Sequence, residues 1–302
     1  MERQGDRDFT RMSVDTRQEI SESILDAVAE FDLVIAALFR DGVGSPESRA
    51  AGFVREDHDV TSQGSEPMRS ALRSILFSVL AGMDHVRLFA SSLTTPNPSV
   101  GLATLNRGAI EAYARAWWLM NAQSGAQLLT RWLSGLAKEL NQAVSLSPDV
   151  RIQEMRGGQS TPQELLTLVM ADIQHVSPSG RPEGFNYTGL ASAISDHINE
   201  NGRTLYSHLS AVAHGESLGI NGFFGIDDDR GVFVHGITER FALNYAEQVF
   251  SVTSVVFGEL IEFMGYGRSG SERWAVAHDR ANDVLIREHT RINGQAPIQR
   301  VR

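Results

Sequence analysis

Four polar side chains carry the chemistry this sequence offers: Arg203, Tyr206, Ser210 and His214, all within the stretch NGRTLYSHLSAVAHGESLG at 201–219. Read as a helix at about 100° per residue, they line up roughly one turn apart. The opposite face carries Leu205, Leu209 and Val212, with His208 at its edge. Asn201-Gly202 before the segment is a loop signal, and Gly215 directly after His214 suits a helix C-terminus. A cation, a phenol, a hydroxyl and an imidazole in one column are the side-chain types of acid–base and hydrogen-bond chemistry. The column alone names neither a reaction nor a ligand.

A second group stands at 107–118. Arg107 and Glu111 are spaced i, i+4 in VGLATLNRGAIEAYARAWWLM, whose only other charge is Arg115. Trp117 and Trp118 close behind make this a central helix, with the ion pair partly buried. A buried pair is weaker evidence for stability than for a geometric role, and both a site-organising role and a structural clamp stay open. His85, Trp118 and His208 are the expected neighbours. For His85 the alternative is a buried ring satisfied by a local partner.

The elements that must position these residues are helices. Thr16 to Arg40 repeats apolar residues at three and four, with Asp15 or Thr16 as cap and Glu19 closing a capping box. Residues 41–65 are rich in Gly, Ser and charge and lack a period, which predicts a long surface loop or insertion. His58 between Asp57 and Asp59 reads there as solvated. Glu66 to Leu93 has one apolar face centred on Ile75, Val79 and Met83, and a second of Phe77, Ala81, Leu88 and Phe89. Two apolar faces predict a helix packed between neighbours.

Further helices are expected over Ser99–Met120, Ser124–Leu146, Thr161–Val176, Thr188–Asn199, 201–216, Thr238–Met264 and 271–291, with 147–161 a loop. Pro162 and Glu164 after Thr161 give the third of these a firm start. Asp172 and His175 share the spacing of one half of a helical di-metal site, but no second pair accompanies them, so no metal is expected. Between about 219 and 237, two β-prone runs flank Asp227-Asp228-Asp229, a hairpin turn without the spacing of a calcium loop. The fold class is therefore all-α: a multi-helix bundle with one small β-hairpin. Residues 1–15 read as a flexible arm, 16–292 as one helical domain, and 293–302 as a tail.

Composition narrows the function classes. Of 302 residues, 42% are apolar and 21% charged, enough to build a core without cross-links. The absence of cysteine excludes disulfides, thiolate catalysis and cysteine-held metals, and fits a reducing cytoplasm. Residues 1–19 are too polar for a signal peptide, and apolar runs break before membrane-spanning length. A net charge of −10 argues against an extended nucleic-acid face, though not against a local basic cleft. No phosphate-binding loop, nucleophile elbow or zinc-protease motif is present, so no cofactor is expected.

These pieces together, Asp84-His85, Arg107-x-x-x-Glu111 leading to Trp117-Trp118-Leu119, and Tyr206-x-x-Leu209-Ser210-x-x-x-His214-Gly215, form a pattern. It resembles uncharacterised all-helical proteins of high-GC bacteria and, more distantly, the HEPN superfamily of helical bundles found in toxin–antitoxin and phage-defence systems. The resemblance covers about residues 66–265. HEPN ribonucleases place an Arg, four intervening residues and a His near a helix end. Here Ser210 and His214-Gly215 match the later part, but Leu209 occupies the Arg position, and an Arg-x4-His spacing occurs one turn earlier, from Arg203 to His208.

The resemblance implies a metal-independent RNase, or a degenerate relative, working as a homodimer with an antitoxin or defence partner. In that chemistry His214 is the base for a 2′-hydroxyl, Arg203 contacts phosphate, and Tyr206 or Ser210 orients. Two other classes stand beside it. One is a non-catalytic ligand-binding or scaffold bundle in which the cluster fixes helix register. The other is a small-molecule enzyme using His85, Glu111 and Trp118 around an apolar cavity.

Overall fold

The computed structural model describes residues 11–56, 60–153, 158–199, 201–227 and 232–294. In chain order the elements are α1 (Val14–Asp41), α2 (Arg49–Arg55), α3 (Pro67–Leu93), α4 (Gly101–Met120), α5 (Gly125–Leu146), β1 (Ile152–Gln153) and β2 (Gln159–Ser160). There follow α6 (Pro162–Val176), α7 (Tyr187–Ile198), α8 (Gly202–Ala213), α9 (Ser217–Ile220), β3 (Phe224–Asp227), β4 (Val232–His235), α10 (Glu239–Met264) and α11 (Arg268–Asn293). The molecule is an all-α bundle whose β3–β4 hairpin pairs antiparallel, Phe224 opposite His235 and Asp227 opposite Val232. The turn at 228–231 lies outside the described residues, as do His58 and its flanking aspartates.

The register of the bundle centre is set by two glycines. A Cβ on Gly82 of α3 would lie 2.5 Å from the Tyr113 ring of α4, and one on Gly108 of α4 would lie 2.7 Å from the His85 ring of α3. The two contacts run oppositely along the helices, so α3 and α4 are antiparallel and nearly touching. Tyr113, Ala109 and Ile110 are fully buried at this seam. On α10, Tyr245, Val249, Val252, Val256 and Leu260 recur at three and four and are buried, as an apolar helix face requires. Phe257 of α10 stacks on Trp274 of α11 at 4.0 Å and meets Phe31 of α1 edge-on at 4.7 Å. A smaller apolar cluster joins α5 and α6 through Leu133, Leu140, Val169 and Ile173.

Several expectations change. The first helix is capped by Ser13, whose Oγ accepts from the Thr16 N–H at 3.1 Å. Thr16 is thus the third helical residue, and no Thr16–Glu19 capping box forms at that end. Met12 before the cap is buried and α1 starts at Val14, so residues 12–15 of the expected arm belong to the bundle. The 41–65 stretch contains α2, capped by Ser48 and anchored by the buried Ala50 and by Phe53 against Phe263. Seven residues are too few to show a period. The 147–161 loop contains the two-residue β1–β2 pair. The last helix begins at Arg268 rather than 271.

The second apolar face of α3 is not packed between neighbours. Phe89 is fully buried, but Phe77 and Leu88 are 60% and 55% exposed. Spacing placed Phe77, Ala81 and Leu88 correctly on one face; no helix among the described residues covers it. The carboxylate of Asp172 accepts from the Ser62 N–H at 3.0 Å and from the Ser62 hydroxyl, tethering the segment after α2 to α6. Among the described residues no group of three or more metal-ligating side chains converges, and no helix is long and apolar enough to cross a membrane.

Candidate functional site

The site forms where α8 crosses α4. Helix α8 starts at Gly202, where a Cβ would lie 1.9 Å from the Ser195 carbonyl oxygen of α7, so only glycine lets the two helices meet there. It ends in a Schellman turn. Gly215, at φ +70°, gives its N–H to the Val212 carbonyl at 3.0 Å, and Glu216 gives its own to Ala211 at 2.9 Å. His214 is the capping residue of that turn, its N–H held by the Ser210 carbonyl at 3.0 Å. The imidazole therefore leaves the helix end from a fixed backbone.

Three side chains meet it or one another. Arg107 Nη1 lies 3.0 Å from His214 Nε2. Arg107 Nε donates to Glu111 Oε1 at 2.8 Å, and the Tyr206 hydroxyl donates to the same oxygen at 2.8 Å. A guanidinium only donates hydrogen bonds. In this contact His214 Nε2 is therefore the acceptor, and the proton of the neutral ring sits on Nδ1. The result is a chain of donors and acceptors running His214, Arg107, Glu111, Tyr206, from an exposed ring to a hydroxyl at 1% residue exposure.

Electrostatics follow from this wiring. Burial works to lower the Arg107 pKa, but the hydrogen bond and charge of Glu111, with Tyr206 behind, leave it above the usual arginine value. The Tyr206 phenol is raised, first by burial and then by its bond to the Glu111 carboxylate, which opposes a second negative charge. The phenol therefore stays a donor at neutral pH. The side chains of Arg107 and Glu111 are 21% and 30% exposed, so the pair is half-buried, as the sequence led one to expect, and reachable from solvent.

Arg203 is not part of this cluster. Its guanidinium pairs with Asp196 of α7 at 3.3 Å, its N–H bonds the same carboxylate at 2.8 Å, and its side chain is 73% exposed. It shares a helix face with His214, but eleven residues of α-helix separate the two by about 16 Å along the axis. Arg107, on a different helix, supplies the cation. Ser210 joins through its carbonyl. His208 turns the other way: Nε2 lies 2.8 Å from the Tyr245 hydroxyl and the ring stacks on Phe241 at 5.4 Å, and burial lowers its pKa.

His85 packs its ring over Gly108, the residue beside Arg107, with Nδ1 buried and without a protein partner. Trp118 lies against Phe185 at 4.5 Å with the Arg131 guanidinium 5.2 Å from its ring, in a separate cluster from Glu111. Two supporting residues were missed in sequence: Thr188 of α7, whose side chain works against the rise of the Tyr206 pKa, and Asp196, the partner of Arg203. Neither stands in a local pattern with its partner. Comparison with protein-family models, curated proteins and solved structures gives no match for this chain. Fold and site define a class, an all-α bundle with an Arg–Glu–Tyr–His cluster between two helices, and no family beyond it.

Proposed function

We propose that the protein is a HEPN-like, metal-independent ribonuclease of the toxin or defence type, acting in the cytoplasm, with Arg107 and His214 as its reacting pair. The observation that carries this reading is the 3.0 Å contact between a guanidinium and an exposed imidazole nitrogen that must be unprotonated to make it. A phosphodiester entering the site competes for Arg107. As the guanidinium turns to the phosphate, the Nε2 lone pair is released to take the 2′-hydroxyl proton. The 2′-oxygen attacks phosphorus, the 5′-oxygen leaves with a proton from solvent, and a 2′,3′-cyclic phosphate results. Arg107 faces the charge that develops on the phosphoryl oxygens. Glu111 and Tyr206 are positioning residues that hold Arg107. The test is incubation of the wild type and His214→Ala with total RNA and a tRNA pool. Cleavage by the wild type alone is expected; equal absence in both removes the nuclease reading.

The partner we propose is a second copy of the chain, seated on the uncovered face of α1 and α3. Arg73, Phe77, Ala81, Asp84 and Leu88 form one exposed stripe on α3, and Phe39 of α1 adds a ring 5.6 Å from Phe77. A two-fold axis crossing α3 between Phe77 and Ala81 brings Arg73 of each copy to Asp84 of the other. An antitoxin-type protein is the further partner this class of activity requires.

A second reading has its own observation. The four groups satisfy one another, one carboxylate oxygen accepting from both Arg107 and Tyr206. Such a closed network also serves as a non-catalytic lock that fixes the register of α8 on α4.

A further inference from the structure

Helix α4 keeps one strip open to solvent, with α3 packed on one side of it and α7 and α8 on the other. Thr104, Gly108, Glu111 and Arg115 mark the strip at spacings of four, three and four, each exposed or partly exposed. The Arg107–His214 pair borders it from the α8 side. His85 borders it from α3. Its ring lies on Gly108 so closely that Cε1, Nε2 and Nδ1 stand 2.7, 2.8 and 2.9 Å from where a Cβ would be. Gly108 and Glu111 share one helix face, where positions three apart lie about 5–6 Å from each other. The imidazole of His85 therefore stands beside the Arg107–Glu111 pair, with Gly108 as the floor under it.

The two nitrogens of that ring differ. Nδ1 is buried and has no partner, whereas Nε2 stays open to solvent and has no partner among the described residues. An orphaned buried N–H is the rarer way to leave a polar group unpaired, so in the neutral ring the proton sits on Nε2 and Nδ1 keeps a bare lone pair. A phenyl ring would lie on Gly108 as well. What a histidine adds at this place is one N–H, offered to the strip without a protein acceptor. His214 offers the opposite, a lone pair at Nε2.

We propose that His85 is a substrate-binding residue, its Nε2–H donating to a non-bridging oxygen of the phosphate next to the one Arg107 holds. The identity of the ligand rests on the ribonuclease reading. His85 moves no proton, because a neutral imidazole that gave up its Nε2–H would be left as an imidazolate. The 2′-hydroxyl proton still goes to His214. A hydrogen bond made alike in the ground state and the transition state acts on KM and not on kcat. A dinucleotide, which has only the scissile phosphate, lacks this contact.

The test uses the full chain and a labelled single-stranded 2′-deoxy oligonucleotide, which keeps every phosphate and lacks the attacking hydroxyl. Affinity is read by fluorescence anisotropy over a salt series at about pH 8, where an ordinary imidazole is uncharged. His85→Phe keeps a ring on Gly108, removes an unpaired nitrogen and is expected to hold the wild-type Tm. It is expected to bind about tenfold more weakly, with the slope of log affinity against log salt unchanged because no charge is lost. Arg107→Gln is expected to flatten that slope by about 0.7. His85→Gln restores an N–H donor and is expected to bind within about threefold of the wild type. In the nitrogen NMR spectrum of the histidine-labelled wild type, His85 is expected as the Nε2–H tautomer. Wild-type affinity in His85→Phe, a Gln variant as weak as the Phe variant, or an Nδ1–H tautomer each overturns the proposal. The ribonuclease reading survives those results if the wild type cleaves RNA; a wild type that neither binds nor cleaves ends both.

Discussion

Arg107 Nη1 and His214 Nε2, 107 residues apart in sequence, face each other at 3.0 Å where two helices cross. Each is fixed from behind, Arg107 by Glu111 and His214 by the Schellman turn. If this pair does the chemistry, the two arginines must behave differently. Arg107→Lys, which loses the fork, is expected to lower RNA cleavage by about 10²-fold or more. Arg203→Ala is expected to leave it within about twofold, since a surface pair with Asp196 contributes little. Cleavage rates on one labelled substrate decide it; a larger loss from Arg203→Ala would return the cation's role to α8.

Tyr206→Phe removes one of two hydrogen bonds to Glu111 Oε1 without changing shape. A cost of about 1–2 kcal/mol is expected from urea unfolding. Combined with Glu111→Gln, the double variant should lose clearly less than the sum of the singles, because the two residues share one network. Strict additivity would mean that the phenol and carboxylate act separately.

Burial lowers the His208 pKa, with Tyr245, Phe241 and Phe223 around or behind the ring. The folded state therefore binds fewer protons than the unfolded chain just below the free-histidine value. The stabilisation is complete above about pH 6.5 and is lost as pH falls through the folded pKa. Urea midpoints of the wild type should drop on acidification more steeply than those of His208→Gln. Parallel curves would show that His208 does not contribute to the acid limit.

Gly202→Ala drives a Cβ to within 1.9 Å of a backbone carbonyl, which no side-chain rotation relieves. A loss of about 3 kcal/mol is expected in urea unfolding, against a few tenths for Gly184→Ala, which has open space around it. Similar midpoints for the two variants would mean that α7 and α8 do not approach so closely.

For the proposed self-association, Phe77→Asp should shift the molecular mass in light scattering from two chains to one while leaving thermal stability nearly unchanged, because Phe77 is 60% exposed. A wild-type chain that stays monomeric at high concentration would leave that face to another partner.

What the sequence determined by itself is the set of elements and several of their ends. The long helices α1, α3, α4, α5 and α10 show in the three-and-four recurrence of apolar residues, because burying one stripe of a 3.6-residue repeat requires it. Thr161-Pro162-x-Glu164, Thr238 and Gly215 are equally local signals, since a cap is made by residues one turn apart. The Arg107–Glu111 pair and its partial burial could be read for the same reason. Ser13 as the first cap and α2 could not, one because a serine competed with two other capping residues, the other because seven residues carry no period.

The cluster itself was decided only in three dimensions. Periodicity put Arg203, Tyr206 and His214 on one side of α8, and that was correct in angle, but angle says nothing of distance along the axis or of which helix crosses there. The crossing is set by Gly82 and Gly108 between α3 and α4 and by Gly202 between α7 and α8. Those contacts bring Arg107 to the C-terminal end of α8 and leave Arg203 with Asp196 at the other. Helix–helix register depends on close packing between residues far apart in the chain, and a one-dimensional pattern holds no record of it.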